Sequence, residues 1–418
     1  MKYVACSTAA LLIAATSTLA TQLDLPDGSD FSLEEILWPA MHLTMAAGGS
    51  SEDAGEPALG AHDPNRDGFT LQGLELDLSL RLNDYIQGFT AWNLSWGGED
   101  EEWTDEFEEA FGKLTDLPGG FEVRGGRMLN RFGKRNALHL HSWNTVAQTL
   151  VNARFLGEEG LAQEGADLTW YLPTRFTTAL TVSYGEARAH DHGHGEEEEG
   201  EEHDENEHAE DAEEIGFEDE FVSGNLLVKA NYDDFNQFSF GGSFATGDNG
   251  LGDDTRIYAL NLSYSWRENG LEPGGRHWTW NTELMLRDFD ASEDHGHEDE
   301  DNHGEEEEHE DDDAHGDEEE DHEESEFSGD DEFGFYTEVI HGPREWLDLG
   351  LRVGYVAGID AIGLDERLRI SPLATVYLSK QRNLLLRAQY NYDDLEFDGD
   401  AHSAWVQLQY SFGGSEVR

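Results

Sequence analysis

Two stretches of this chain gather side chains that could hold a metal ion. One carries His190, His192 and His194 as H-x-H-x-H, followed by His203 and His208. The other carries His295, His297, His303, His309, His315 and His322. Eleven of the 18 histidines fall there, among carboxylates. Neutral imidazole with carboxylate is a donor set suited to zinc, copper or nickel; carboxylates alone hold calcium or magnesium loosely. The alternation lets a flexible chain wrap several nitrogens round one ion. Ordering that chain costs entropy, so many weak, exchangeable sites are expected and no tightly bound cofactor. The plainer alternative makes these solvated acidic loops that shield a surface. Acidic shielding gives no reason to concentrate histidine, which favours metal capture.

Residues 190–220 hold seventeen acids and residues 290–332 twenty-six, with no Lys or Arg in either, inside a formal net charge of −67. Such segments bury too little apolar surface to fold alone and repel themselves into extended, solvated loops. The sign of the charge excludes a nucleic-acid partner, because phosphate binding needs a basic face.

The elements that carry these loops are legible as strands. Leu74, Leu76, Leu78, Leu80 and Leu82 alternate with Glu75, Asp77, Ser79, Arg81 and Asn83. The same two-residue period recurs at 258–266 and 347–355, predicting strands with one apolar and one polar face. Sixteen strands are predicted, starting near residues 38, 69, 85, 103, 120, 164, 175, 221, 235, 255, 276, 332, 346, 366, 382 and 402. Even-to-odd links are short, such as Asn83-Asp84, Pro173-Thr174 and Asp233-Asp234, whereas the long links 48–68, 132–163, 189–220, 247–254, 290–331 and 358–365 are odd-to-even. An all-β transmembrane antiparallel barrel with short periplasmic turns and long external loops has this parity; a soluble periplasmic β-protein does not need it. Trp92, Trp96, Trp170, Trp266, Trp278, Tyr355 and Tyr392 fall near strand ends, where interfacial girdles belong. The last strand ends on Phe412, an ending of the kind the barrel-assembly machinery reads, although residues 413–418 trail behind it.

The expected organisation is a secretory signal peptide at 1–20, a periplasmic lead-in at 21–37, a barrel over 38–412 with acidic His-rich loops at 189–220 and 290–331, and a tail at 413–418. Lys2, the apolar run Leu11-Leu12-Ile13-Ala14-Ala15 and the exit Thr18-Leu19-Ala20 mark the leader. The single cysteine, Cys6, lies inside it, so the mature chain is expected to carry no disulfide. No apolar run reaches the ~20 residues of a spanning helix, which leaves the spanning to strands.

Between Gly119 and Pro173 the chain runs as a strand, about thirty non-periodic residues, and a second strand ending at Leu172. A loop of that length inside a β-rich chain is uncommon unless it has a role. This one carries Leu138, Leu140, Trp143, Val146, Leu150, Val151 and Phe155, which need something to pack on. It reads as an inturned third external loop that narrows the lumen. The segments RGGRMLNRFGKRN, LHLHSW and FLGEEGLAQEGADLTWYLPT resemble a bacterial outer-membrane family called zinc-regulated TonB-dependent outer-membrane receptors, itself similar to phosphate-selective-type porins. The resemblance covers roughly residues 69–188. It implies a Gram-negative outer-membrane porin, surrounded by lipid and lipopolysaccharide, and a homotrimer. The receptor name implies energised uptake, but 418 residues leave no room for a plug domain and a larger barrel.

Alternation points Arg81, Arg124, Lys229, Arg287, Arg352, Arg369 and Arg387 inward, together with Glu75, Asp77, Glu122, Asp167, Glu283 and Asp348. Rings of such charges set selectivity, and a phosphate channel would bias the wall towards Arg and Lys. His139 and His141 in the third loop either pass a metal inward or, as favoured here, pack and hydrogen-bond within it, beside Trp143. No nucleophile–base pair is evident around His277, His341 or His402, so no enzyme is expected. The preferred reading is a diffusion channel for small solutes, with divalent metals such as zinc concentrated by the outer loops. A surface metal-binding barrel without transport and an anion or phosphate porin stay as alternatives. Zinc calorimetry should show several sites that vanish at about pH 5, as imidazoles protonate. Deleting 190–219 and 291–329 should remove them; unchanged binding contradicts the assignment.

Overall fold

A computed structural model of the chain describes residues 23–24, 30–31, 36–51, 60–64, 66–97, 102–188, 215–250, 253–270, 275–289, 332–359, 364–395 and 399–413. The leader expected at 1–20, residues 414–418 and all eleven loop histidines lie outside them.

Sixteen strands form the wall: β1 Leu37–Ser50, β2 Gly68–Arg81, β3 Ile86–Gly97, β4 Glu102–Leu117, β5 Phe121–Leu129, β6 Ala162–Leu172, β7 Thr177–Ala187, β8 Glu220–Asn231, β9 Asn236–Asp248, β10 Asp254–Arg267, β11 His277–Phe289, β12 Glu332–Arg344, β13 Leu347–Val356, β14 Arg367–Tyr377, β15 Leu384–Leu395 and β16 Gly399–Gly413. Each starts within three residues of the position that alternation predicts. Every strand pairs antiparallel with its sequence neighbours, and β16 closes on β1 from Ser403↔Ser50 to Gly413↔Ala40. Closure satisfies all ladder hydrogen bonds within the wall and leaves no open edge. Ahead of the barrel, Asp30 and Phe31 pair antiparallel with Asp24 and Leu23.

The two faces differ as the two-residue period requires. Leu180, Leu226, Leu260, Leu284, Leu351 and Val406 point outward and are exposed. Aromatics ring both ends of that belt: Tyr85, Phe235, Trp278 and Trp346 at the short-turn rim, Phe69, Trp103, Tyr258 and Phe333 at the long-loop rim. An apolar band between aromatic girdles suits a bilayer core. Inward-facing Glu75, Asp77, Asn261, Glu283, Gln389 and Gln407 are buried and polar.

The ladders shift register at five places, four of them between β1 and β5 and one on β12–β13, between His341 and Arg344; two of the shifts bring adjacent residues to the inner face on the β1–β4 side. The β3–β4 ladder slips between Ala91 and Trp92, so Glu108 has no partner residue and both Glu108 and Glu109 turn inward. The β2–β3 ladder slips between Leu71 and Leu74, where neighbouring Gln72 and Gly73 are both buried. Such bulges insert one residue and re-aim side chains. Leu260 lies mid-strand on the outer face, 54% exposed. Leu260→Arg should cost roughly 2–4 kcal/mol in lipid, read as a lower urea midpoint. A neutral result there would contradict the bilayer-facing assignment.

Candidate functional site

The lumen is occupied by residues 130–161, which leave β5, cross the interior and return to β6. This third loop holds a single 3-10 turn, Leu140–Ser142, and a seven-residue helix, α1 Leu150–Leu156. Thr149 caps α1, its hydroxyl accepting from the Asn152 amide, and Gly157 ends it at φ 85°. Leu150, Val151 and Phe155 pack into an apolar cluster with Phe221, Ile257, Met285, Tyr336 and Val356. Gly334 on β12 makes the approach possible, since a Cβ there would meet Val151 Cγ2 at 2.8 Å and Phe155 Cε2 at 3.1 Å.

Backbone inside a barrel needs partners, and the wall supplies them. Arg387 donates to the carbonyls of Trp143 (2.8 Å) and Thr145 (2.9 Å), and Arg352 to the Ala147 carbonyl (2.9 Å) and the Thr145 hydroxyl (3.0 Å). Gln389 accepts from the Val146 amide, Gln72 donates to the Val146 carbonyl, and Asp63 accepts from the Gln148 amide. Arg287 pairs with Glu332 and donates to the Arg154 carbonyl, while Glu283 accepts from the Lys134 amide. Of the inward charges expected from the sequence, Arg287, Arg352 and Arg387 are thus buried under the loop and bound to it, not open to a water column.

The others sit elsewhere on the same face. Arg124 is paired with Asp167, Glu122 with Lys113 (3.0 Å) and Arg131 (2.8 Å), and Arg369 with Asp393 (2.7 Å). Arg81 covers the Trp38 ring at 4.2 Å, and Lys229 is exposed on β8. Asp348 contacts His277 (3.4 Å), Arg382 (3.2 Å) and the Tyr377 hydroxyl (2.9 Å). His341 stacks on Trp278, and His402 meets the Tyr390 hydroxyl. Trp143 is buried, its indole donating to the Leu138 carbonyl, with Arg135 over its ring at 5.0 Å.

His139 and His141 enter a cluster richer than the sequence indicated. The Glu75 carboxylate faces both: one oxygen meets His139 Nδ1, the other lies 2.8 Å from His141 Nδ1. His139 Nδ1 also lies 3.0 Å from Glu108, and its Nε2 3.0 Å from Glu109. His42 stacks on the His141 ring at 3.6 Å and reaches Asp77 at 3.4 Å. His62, in the loop after β1, lies 3.2 Å from Glu108. Glu75, His139 and His141 each present a ligand-type atom, all within 4.8 Å of one another. Alternation placed Glu75 and Asp77 inward; His42 and His62 carried no local signal, and the bulge that turns Glu108 and Glu109 in together is invisible to a two-residue period.

No family model matches the chain. An uncharacterized protein of Aquifex aeolicus is 33% identical over 109 residues, a match spanning 26% of this chain and 22% of that protein. Among solved structures, the chain is similar to Pseudomonas putida OprB (TM-score 0.54, 10% identity, 91% of this chain and 95% of that one). It is also similar to an anion-selective porin from Comamonas acidovorans (0.53, 11%, 90% and 99%) and to the outer-membrane channel DcaP of Acinetobacter baumannii (0.51, 11%, 90% and 96%). At these identities the likeness is one of fold: a porin-type sixteen-strand barrel.

Burial disfavours charge on the His62 imidazole, but the Glu108 carboxylate, followed by Glu159 and Glu106, raises its pKa from 6.5 to about 9. A raised folded-state value means the contact stabilises fully below pH 6.5 and is lost as pH climbs through about 9. NMR titration of His62 should give a midpoint near 9 that falls in Glu108→Gln. A wild-type midpoint at the unperturbed 6.5 would contradict the pairing.

Proposed function

We propose that the protein is a Gram-negative outer-membrane channel for passive diffusion of small solutes, with divalent cations such as zinc enriched at its mouth. The observation that carries this reading is a closed barrel, apolar outside and polar inside, whose third loop lies across the interior as a constriction. The outer loops bearing His190, His192, His194, His203, His208, His295, His297, His303, His309, His315 and His322 leave the long-loop rim. Their carboxylates raise local cation concentration there. By the same reading the neighbours are lipid and lipopolysaccharide, and the assembly is a homotrimer.

An anion path has one feature in its favour: Arg352, Arg367, Arg369 and Arg387 face inward on adjacent strands β13–β15. Their charges are already engaged, however. Arg367 and Arg369 share Asp393, at 2.8 and 2.7 Å, and Arg352 and Arg387 hold loop carbonyls. The acidic loops at the entrance also repel anions. The cation reading is therefore preferred.

Planar-bilayer recordings in zinc, chloride and phosphate salts test it. Channel openings with cation preference are expected, and deleting 190–219 and 291–329 should reduce zinc current at low zinc. Arg387→Ala leaves two buried carbonyls short of a donor, at roughly 1–3 kcal/mol each, and should loosen the constriction and raise conductance. A silent wild-type barrel that still binds zinc would instead favour a surface metal-binding protein.

A further inference from the structure

We propose that Glu75, His139 and His141 form an inner binding site for a divalent transition-metal ion of the zinc class, separate from the histidines of the outer loops. Four segments converge on the site besides loop three. His42 comes from β1, His62 from the following loop, Glu75 and Asp77 from β2, and Glu108 and Glu109 from the β4 bulge. Loop three delivers the two imidazoles on its 3-10 turn, at His139 and His141. Gly73 lies beneath the turn, where a Cβ would crowd the Asn93 Oδ1 atom at 2.8 Å and touch the Leu140 Cδ2 atom at 3.4 Å.

The donor set is the first argument. Two imidazole nitrogens and a carboxylate oxygen are the ligands of open zinc sites, with bonds of about 2.0–2.2 Å. Calcium and magnesium prefer oxygen donors throughout, so the nitrogens select the transition-metal class. The Nδ1 atoms of both rings already face the one Glu75 carboxylate, and all three ligand-type atoms lie within 4.8 Å. Small side-chain rotations suffice to bring them round an ion.

The surrounding groups are the second argument. Ligating histidines characteristically give their other N–H to a carboxylate, which fixes the tautomer. Glu109 occupies that position, 3.0 Å from His139 Nε2. His42 stacks on His141 and is itself paired with Asp77, whose Oδ1 is buried with no hydrogen-bond partner among the described residues.

The third argument weighs the plainer reading, in which the cluster merely fastens loop three to the wall. Elsewhere in this lumen the cationic partners are Lys134, Arg287, Arg352 and Arg387, beside the neutral Gln72 and Gln389. Here the ion pairs of Glu75, Asp77 and Glu108 are all with histidines. Among the described residues no Lys or Arg pairs with these three carboxylates, and a divalent cation held by the imidazoles and Glu75 would balance their charge.

Crystals of the full-length protein soaked in zinc, with diffraction recorded on both sides of the zinc absorption edge, test the proposal. An anomalous peak is expected about 2.0–2.2 Å from Glu75, His139 and His141. It should disappear in Glu75→Gln and in His141→Gln, with the heat-dependent gel shift retained as the sign of an intact barrel. Should Glu75→Gln not assemble, His141→Gln decides alone, since that ring is partly exposed and packs at the edge of the cluster. No peak at the cluster in the wild type, or a peak that survives in His141→Gln, overturns the proposal. Conductance does not enter this readout. An occupied cluster in a silent barrel would count against transport and leave the metal site standing.

Discussion

Thirty residues of backbone inside a closed barrel must find hydrogen-bond partners on the wall or lose the free energy of burying them unpaired. That constraint shapes the molecule. Ladder bonds take up most backbone groups of the wall, so side chains serve the loop. Arg352 and Arg387 do so from β13 and β15, Gln389 from β15, Gln72 from β2 and Glu283 from β11. Burying a guanidinium is costly in isolation, and the two loop carbonyls at Arg387 and the one at Arg352 offset that cost only because the loop remains in place. Loop and wall are therefore mutually dependent. Removing either leaves charged or polar groups buried without partners.

The loop is held in two chemically distinct ways. Along β8–β15 the contacts are apolar packing of α1 and donation from fixed cations. On the β1–β4 side they are imidazole–carboxylate contacts that can exchange a proton or an ion. The bulges at Gln72–Gly73 and at Glu108 fall on that second side. A regular strand presents every other residue to the lumen; a bulge presents two in succession. The wall thereby gathers more carboxylates round His139 and His141 than alternation allows.

Much of the architecture was legible because two-residue periodicity is a strong physical signal when one face meets hydrocarbon and the other water. It located sixteen strands to within three residues, and the parity of loop lengths separated the two ends. The inturned loop was legible from apolar residues with nowhere else to pack. The site was legible only in part. Glu75, Asp77, His139 and His141 stood out, but α1 is seven residues long, too short to show a helical period. Glu108 and Glu109 did not stand out, because a register slip is set by tertiary pairing and leaves no local mark. The arginines read as lining an open passage were placed on the correct face. Alternation gives direction only; what lies opposite a side chain depends on where a distant loop folds.

The dependence of the barrel interior on a docked third loop is tested most directly by amide hydrogen exchange across residues 138–156 in a lipid bilayer. With the loop docked, the amides of Val146, Gln148 and Ala153, bonded to Gln389, Asp63 and the Thr149 carbonyl, should exchange as slowly as those of the strands around them. Exchange as fast as in an unstructured peptide would mean that the loop does not lie in the lumen.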